Sequence, residues 1–159
     1  MKTRTANLLL AGLALALPVA AAESPGDYAA DLAAVYGGYQ QVLAMKDACD
    51  KAVPATRAAN DKAFAAWTVQ HRALLQELQR RVTAMIRLAS TDERDYTRNV
   101  GKYEGEMLQI REEHRDALLK RDAKDLRAQC QGMSGVLKGP EADLDRVYAV
   151  ELEAIRKRK

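Results

Sequence analysis

Apolar residues recur at three- and four-residue steps along most of the chain, and no stretch alternates apolar and polar residues with period two. That spacing is helical, and the abundance of Ala, Leu, Glu, Lys, Arg and Gln beside few Val and Ile agrees with it. A first helix is predicted after Ser24-Pro25-Gly26-Asp27, with Asp27 as its cap and Tyr28, Leu32, Tyr36, Tyr39, Leu43 and Cys49 near one stripe. Gly37-Gly38 in its middle costs about 2 kcal/mol against a pair of alanines, so a bend or a close neighbour is expected there.

Pro54 suits the first turn of a second helix, where its missing N–H is not needed. From it the pattern runs unbroken to about Ala89 through Phe64, Trp67, His71, Leu74, Leu78, Val82, Met85 and Ile86. At 1.5 Å per residue this is a rod of about 50 Å, which predicts an elongated molecule. Trp67, one turn after Phe64, reads as a packing anchor. Ser90-Thr91-Asp92-Glu93 reads as a capping box between Ser90 and Glu93, opening a third helix with Tyr96, Val100, Tyr103, Met107, Ile110, His114 and Ala117 on one side. The connection is short enough to require an antiparallel hairpin. The phase changes near Lys120-Arg121-Asp122 and moves to Leu126, Cys130 and Met133, after which Gly132, Ser134 and Gly135 are expected to end the helix. A last helix follows Gly139-Pro140 and carries Leu144, Val147, Tyr148, Leu152 and Ile155. The fold expected is all-α: an elongated antiparallel bundle of about four helices with a long central hairpin.

The N-terminus departs from this pattern. Lys2 and Arg4 precede an apolar run from Ala6 to Leu17, then Pro18 and the small residues Ala20, Ala21 and Ala22 before Glu23. That is the three-part form of a secretory signal, residues 1–22, and the run is too short to anchor the chain in a membrane. The expected compartment is the periplasm. Residues 23–159 form one domain on length. Cleavage removes two cations and no acid, so the formal charge falls from +3 to +1. A near-neutral chain gives no electrostatic footprint for nucleic acid. Only Cys49 and Cys130 are present, and in an oxidising compartment one disulfide is expected between them. It closes a loop worth about 4–5 kcal/mol in the chain-entropy model.

Candidate chemistry is sparse. His71 and His114 are the two histidines, one on each arm of the expected hairpin and offset along it by about 7–8 Å. If they face one another they could carry haem or a metal; if not, they pack as partly buried imidazoles. Glu104, Glu106, Glu112 and Glu113 alternate with cations, the habit of a solvated face. No nucleophile elbow, phosphate-binding glycine loop, Glu-x-x-His pair or C-x-x-C-H is present, so no catalytic residue is assigned and a non-enzyme is expected. Arg156-Lys157-Arg158-Lys159 complements a helix C-terminus. Tyr28, Tyr36 and Tyr39 share one helix side, as do Tyr96 and Tyr103, and suit either the rim of a narrow core or a partner surface.

The set Cys49, Pro54, Trp67 and Cys130, with a short acidic helix near Pro140, resembles small exported helical proteins of proteobacteria that have no assigned function. The resemblance spans most of the mature chain and implies no active site. The chain lacks the repeated Leu-Thr-x-x-Gln motif of the stress-induced periplasmic helical chaperones, and two cysteines are too few for the cysteine-rich lysozyme inhibitors. The function expected is that of a non-enzymatic binding protein for a protein or envelope component, with a haem or metal carrier using His71 and His114 as the alternative. Protein isolated from the exporting cell should have the intact mass of a chain beginning at Glu23 and two protons lighter than its reduced form. A mass retaining residues 1–22, or titratable thiol after denaturation, contradicts this.

Overall fold

A computed structural model describes residues 25–158. The expected export segment and Lys159 lie outside the described residues, and so does the side chain of the expected Asp27 cap. The described chain is all-α but not the expected bundle of about four. It contains eight α-helices: α1 (Pro25–Ala52), α2 (Arg57–Gln70), α3 (Arg72–Leu88), α4 (Glu93–Leu119), α5 (Ala123–Gln131), α6 (Met133–Lys138), α7 (Leu144–Val147) and α8 (Ala149–Lys157). Two 3-10 turns, Pro54–Thr56 and Pro140–Ala142, interrupt the series at its two expected prolines.

Local chemistry explains the subdivision. The single rod expected from Pro54 to Ala89 is interrupted at His71, whose φ and ψ of −93° and 10° leave the helical region. Asp122 stops the continuation of α4 by accepting from the backbone N–H groups of Lys124 (2.9 Å) and Asp125 (3.2 Å), which caps α5. Gly132 separates α5 from α6, whereas Ser134 and Gly135 lie inside α6 and do not end it. The expected capping box is displaced by two residues. Asp92 accepts from Asp95 N–H at 2.8 Å, and the Asp95 carboxylate accepts from Thr91 N–H at 3.0 Å. Ser90 instead donates to the Ile86 carbonyl at 2.6 Å and closes the end of α3.

The long central hairpin is also corrected. α4 packs chiefly along α1, and α3 touches α4 to a much smaller extent. Two links favour that pairing. Arg111 of α4 donates through Nε and Nη2 to the two oxygens of Asp47 on α1, the second bond at 2.8 Å, and Tyr103 of α4 meets Tyr36 of α1 with ring centroids 5.9 Å apart. α1 is the hub, contacting α4, α8, α5, α2 and α3. Cys49 near its end is bonded to Cys130 in α5, with both residues fully buried and their Cα atoms 5.3 Å apart. No described helix is long and apolar enough to cross a membrane.

The core is built from Leu32, Val35 and Met45 of α1, Trp67 of α2, Leu74, Leu78 and Val82 of α3, and Leu152 and Ile155 of α8. At Gly38 the expected close neighbour is Tyr148, the residue between α7 and α8. A Cβ built on Gly38 would fall 2.5 Å from Tyr148 Oη and 2.7 Å from Cζ, while one on Gly37 meets nothing within 4 Å. A side chain at residue 38 would force the Tyr148 ring to shift, so glycine there lets the ring that ends α7 sit on the centre of α1. Gly37→Ala should therefore stabilise the protein by up to about 1 kcal/mol, as removal of an interior helix glycine does. Gly38→Ala should destabilise by about 1–3 kcal/mol through displacement of the ring. Urea midpoints of the two variants test the contrast, and equal midpoints would show that Tyr148 does not occupy this seat.

Candidate functional site

Trp67 and His71 stand one turn apart at the end of α2, so they share a face, and their rings lie 4.6 Å apart at 48°. Trp67 is buried, packs on Phe64 (6.0 Å) and lies parallel to Tyr39 (6.2 Å, 4°). Its indole Nε1–H donates to the Ala142 carbonyl at 2.8 Å, across 75 residues of sequence. That bond fixes the turn Pro140–Ala142 over the end of α2. The next residues are Asp143, which caps α7 by accepting from Arg146 N–H at 3.4 Å, then buried Leu144, then Asp145. Leu144 is buried, and the carboxylates on either side of it come within 4.8 Å of a His71 ring nitrogen.

One donor nitrogen of His71 and one oxygen each of Asp143 and Asp145 all lie within 4.8 Å of one another. Around a tetrahedral ion bound at about 2.1 Å, neighbouring donors stand about 3.4 Å apart, so the three must draw in by roughly 1 Å to share one. Asp145 is exposed on a four-residue helix, which leaves it room to do so. His71 is the informative member. Its side chain is 2% exposed, and neither ring nitrogen has a hydrogen-bond partner. The nearest approach, Nδ1 to Asp145 Oδ2, is 3.9 Å, beyond hydrogen-bond range. A buried polar group left in this state costs about 1–3 kcal/mol.

Asp145 has a second neighbour. Its Oδ1 lies 3.5 Å from Arg156 Nη2 on α8. Arg156 in turn donates through Nε (3.1 Å) and Nη2 (3.0 Å) to Glu77 Oε2 on α3. Arg81 Nε donates to the other oxygen, Glu77 Oε1, at 2.9 Å. Burial by itself would raise the Glu77 carboxyl's proton affinity, but the bonds from Arg156 and Arg81 outweigh it and hold the group below the usual carboxylate range.

The other residues singled out from the sequence lie elsewhere. His114 is exposed on α4, not on its buried side, because the straight 3.6-residue helix drifts off the seven-residue pattern and presents Arg111 and Leu118 instead. It lines a cavity of about 390 Å³ together with Val42, Met45, Leu144, Val147 and Tyr148. It is no part of the group around His71. Tyr28, Tyr36, Tyr39, Tyr96 and Tyr103 are all half-buried against the core. Arg87 covers the Tyr96 ring at 3.4 Å and Arg158 the Tyr28 ring at 5.6 Å. The Tyr103 hydroxyl is buried without a partner, and burial, aided by Tyr36 and Glu106, pushes its proton affinity up. Glu104, Glu106, Glu112 and Glu113 are exposed. In the basic tail, Arg156 is held by Glu77, and Lys157 pairs with Glu153 at 2.8 Å.

Sequence reasoning missed Asp143 and Asp145. The one available signal was Asp-Leu-Asp, a pair of acids flanking an inward apolar residue, but nothing local connects it with a histidine more than 70 residues earlier. No protein-family model, curated protein or solved structure matches the chain. It is a small, disulfide-bonded protein without an assigned family, all-helical over the described residues, with a His-Asp-Asp group able to chelate a metal ion.

The unpaired imidazole makes a direct prediction for metal-free protein. Replacing a buried polar group that has no partner by an apolar one of similar size removes its desolvation cost. With chelator present, His71→Leu should leave stability within about 1 kcal/mol of the parent or raise it. Denaturant unfolding measures this, and a loss above about 2 kcal/mol would show that the imidazole has a hydrogen-bonding role in the metal-free fold.

Proposed function

We propose that this protein is an exported, non-enzymatic carrier of a divalent metal ion, bound by His71, Asp143 and Asp145. The observation that carries the reading is the buried His71 ring, with no hydrogen-bond partner on either nitrogen and two carboxylates beside it. A metal ion is the partner that would satisfy an imidazole nitrogen and two anions together. Three protein donors leave coordination positions open, as in sites that exchange a ligand and unlike closed four-ligand structural sites. Asp145, exposed on the short helix α7, gives the ion a route in and out.

This replaces a pairing of His71 with His114 as the source of the metal chemistry. It is better supported than a surface for an envelope protein, because the tyrosines that would form such a surface pack their rings against the core. The periplasm is the compartment we propose, from the secretory pattern of residues 1–22, and the small exported helical proteins of proteobacteria are the group the chain resembles.

The test is calorimetric titration of chelator-stripped protein with Zn²⁺, beside elemental analysis of protein taken from the periplasm. One ion per chain is expected, together with a thermal stabilisation that grows with free metal, about 2.7 kcal/mol at a hundredfold excess over the dissociation constant. His71→Ala and Asp145→Asn should each weaken binding by about 100-fold or more, since even residues that only support a ligand are worth 10- to 100-fold. His114→Ala should bind as the parent does. Binding that survives His71→Ala, or that depends on His114, would overturn the assignment.

A further inference from the structure

The chain of ion pairs behind Asp145 has a consequence for which metal the site takes. Each oxygen of Asp145 faces a different group. Oδ2 is turned to His71 Nδ1 at 3.9 Å, while Oδ1 is turned to Arg156 Nη2 at 3.5 Å. Arg156 is itself fixed by two bonds to Glu77, and Glu77 is held from its other side by Arg81. With Oδ1 drawn toward the guanidinium, Oδ2 is the oxygen that Asp145 turns to the His71 side.

We infer that the site selects a first-row transition metal of the Zn²⁺ class over Ca²⁺ and Mg²⁺, with Arg156 as the positioning residue that enforces the choice. This rests on the metal-binding reading above and goes further by naming the ion class. Three features of the donor set point the same way. A neutral imidazole nitrogen suits Zn²⁺, Fe²⁺, Ni²⁺ or Cu²⁺ and offers little to hard cations. Ca²⁺ takes six to eight oxygens and commonly draws on both oxygens of a carboxylate, for which Oδ1 of Asp145 would have to leave Arg156. Mg²⁺ favours octahedral oxygen coordination, whereas Zn²⁺ is satisfied by four ligands of mixed nitrogen and oxygen, of which this protein supplies three. Arg156 also places a cation near the incoming ion, and Glu77, shared with Arg81, offsets only part of that charge.

The experiment measures Zn²⁺, Ca²⁺ and Mg²⁺ affinities by titration for the parent, Arg156→Gln and Arg156→Lys, with circular dichroism melts to establish that each is folded. The parent should bind Zn²⁺ at least about 100-fold more tightly than Ca²⁺ or Mg²⁺. Arg156→Gln should weaken Zn²⁺ by about 10- to 100-fold, the usual effect of losing a group that orients a ligand, while Ca²⁺ binding holds or improves. The ratio between the two ions therefore narrows, which a merely structural loss would not produce. Arg156→Lys should recover part of the ratio, because an ammonium can reach one oxygen but cannot keep both bonds to Glu77. If Arg156→Gln does not fold, Arg156→Met, which keeps the apolar stem without the charge, should narrow the ratio in the same way. An unchanged ratio in both folded variants, or tighter Zn²⁺ binding without Arg156, overturns the positioning role. A parent that binds Ca²⁺ as tightly as Zn²⁺ overturns the ion class while leaving metal binding intact, and a parent that binds none of the three ions removes the metal reading itself.

Discussion

The hydrogen bond from Trp67 Nε1 to the Ala142 carbonyl is the constraint on which the rest of the arrangement depends. It joins the end of α2 to a turn 75 residues later, beside Phe64 and Tyr39 stacked on the indole and His71 tilted against it. Everything C-terminal to that turn is placed from it. Asp143 follows directly, Leu144 enters the core, and Asp145 emerges beside His71. Tyr148 then reaches the side-chain-free surface of Gly38, which returns the chain to the centre of α1 and starts α8 along it. The Cys49–Cys130 bond works in parallel from the opposite end of α1, holding α5 and hence the chain that leads into α6 and the turn.

Within that frame the two sides of His71 differ sharply. Toward the core it has Trp67, an apolar face with no acceptor to offer. Toward α7 it has two carboxylates that come near without closing on it. An ordinary buried histidine resolves its desolvation cost with a backbone carbonyl or a hydroxyl. Here the carboxylate that could do so is drawn the other way, by an arginine held on α8 and α3. The position of Asp145 thus balances a protein cation against the imidazole, and an added divalent cation would lie between the imidazole and the carboxylate.

Much of this was legible in the sequence wherever the physics is local. The cysteine pair, Trp67 as an anchor beside Phe64, the change of phase at Lys120–Asp122 and a close neighbour at Gly37-Gly38 all follow from spacing and residue type, and the structure contains each of them. What failed depended on long range. The uninterrupted stripe through Trp67 and His71 contains no proline or glycine, so nothing marks the interruption at His71, which lies beside Asp143 and Asp145. The short connection at Ser90–Asp92 predicts that α4 runs back along α3. α4 lies instead on α1, where Asp47 and Tyr36 supply partners for Arg111 and Tyr103. The histidines were paired by their place on a hairpin that does not form, and the acids that do meet His71 belong to a segment whose location is set by one indole N–H.

X-ray absorption at the zinc edge of the loaded protein counts the ligands of the ion. One imidazole nitrogen and otherwise oxygen donors are expected, all at about 2.0–2.2 Å and with no sulfur. A first shell with two imidazoles, or with none, would contradict the His-Asp-Asp site.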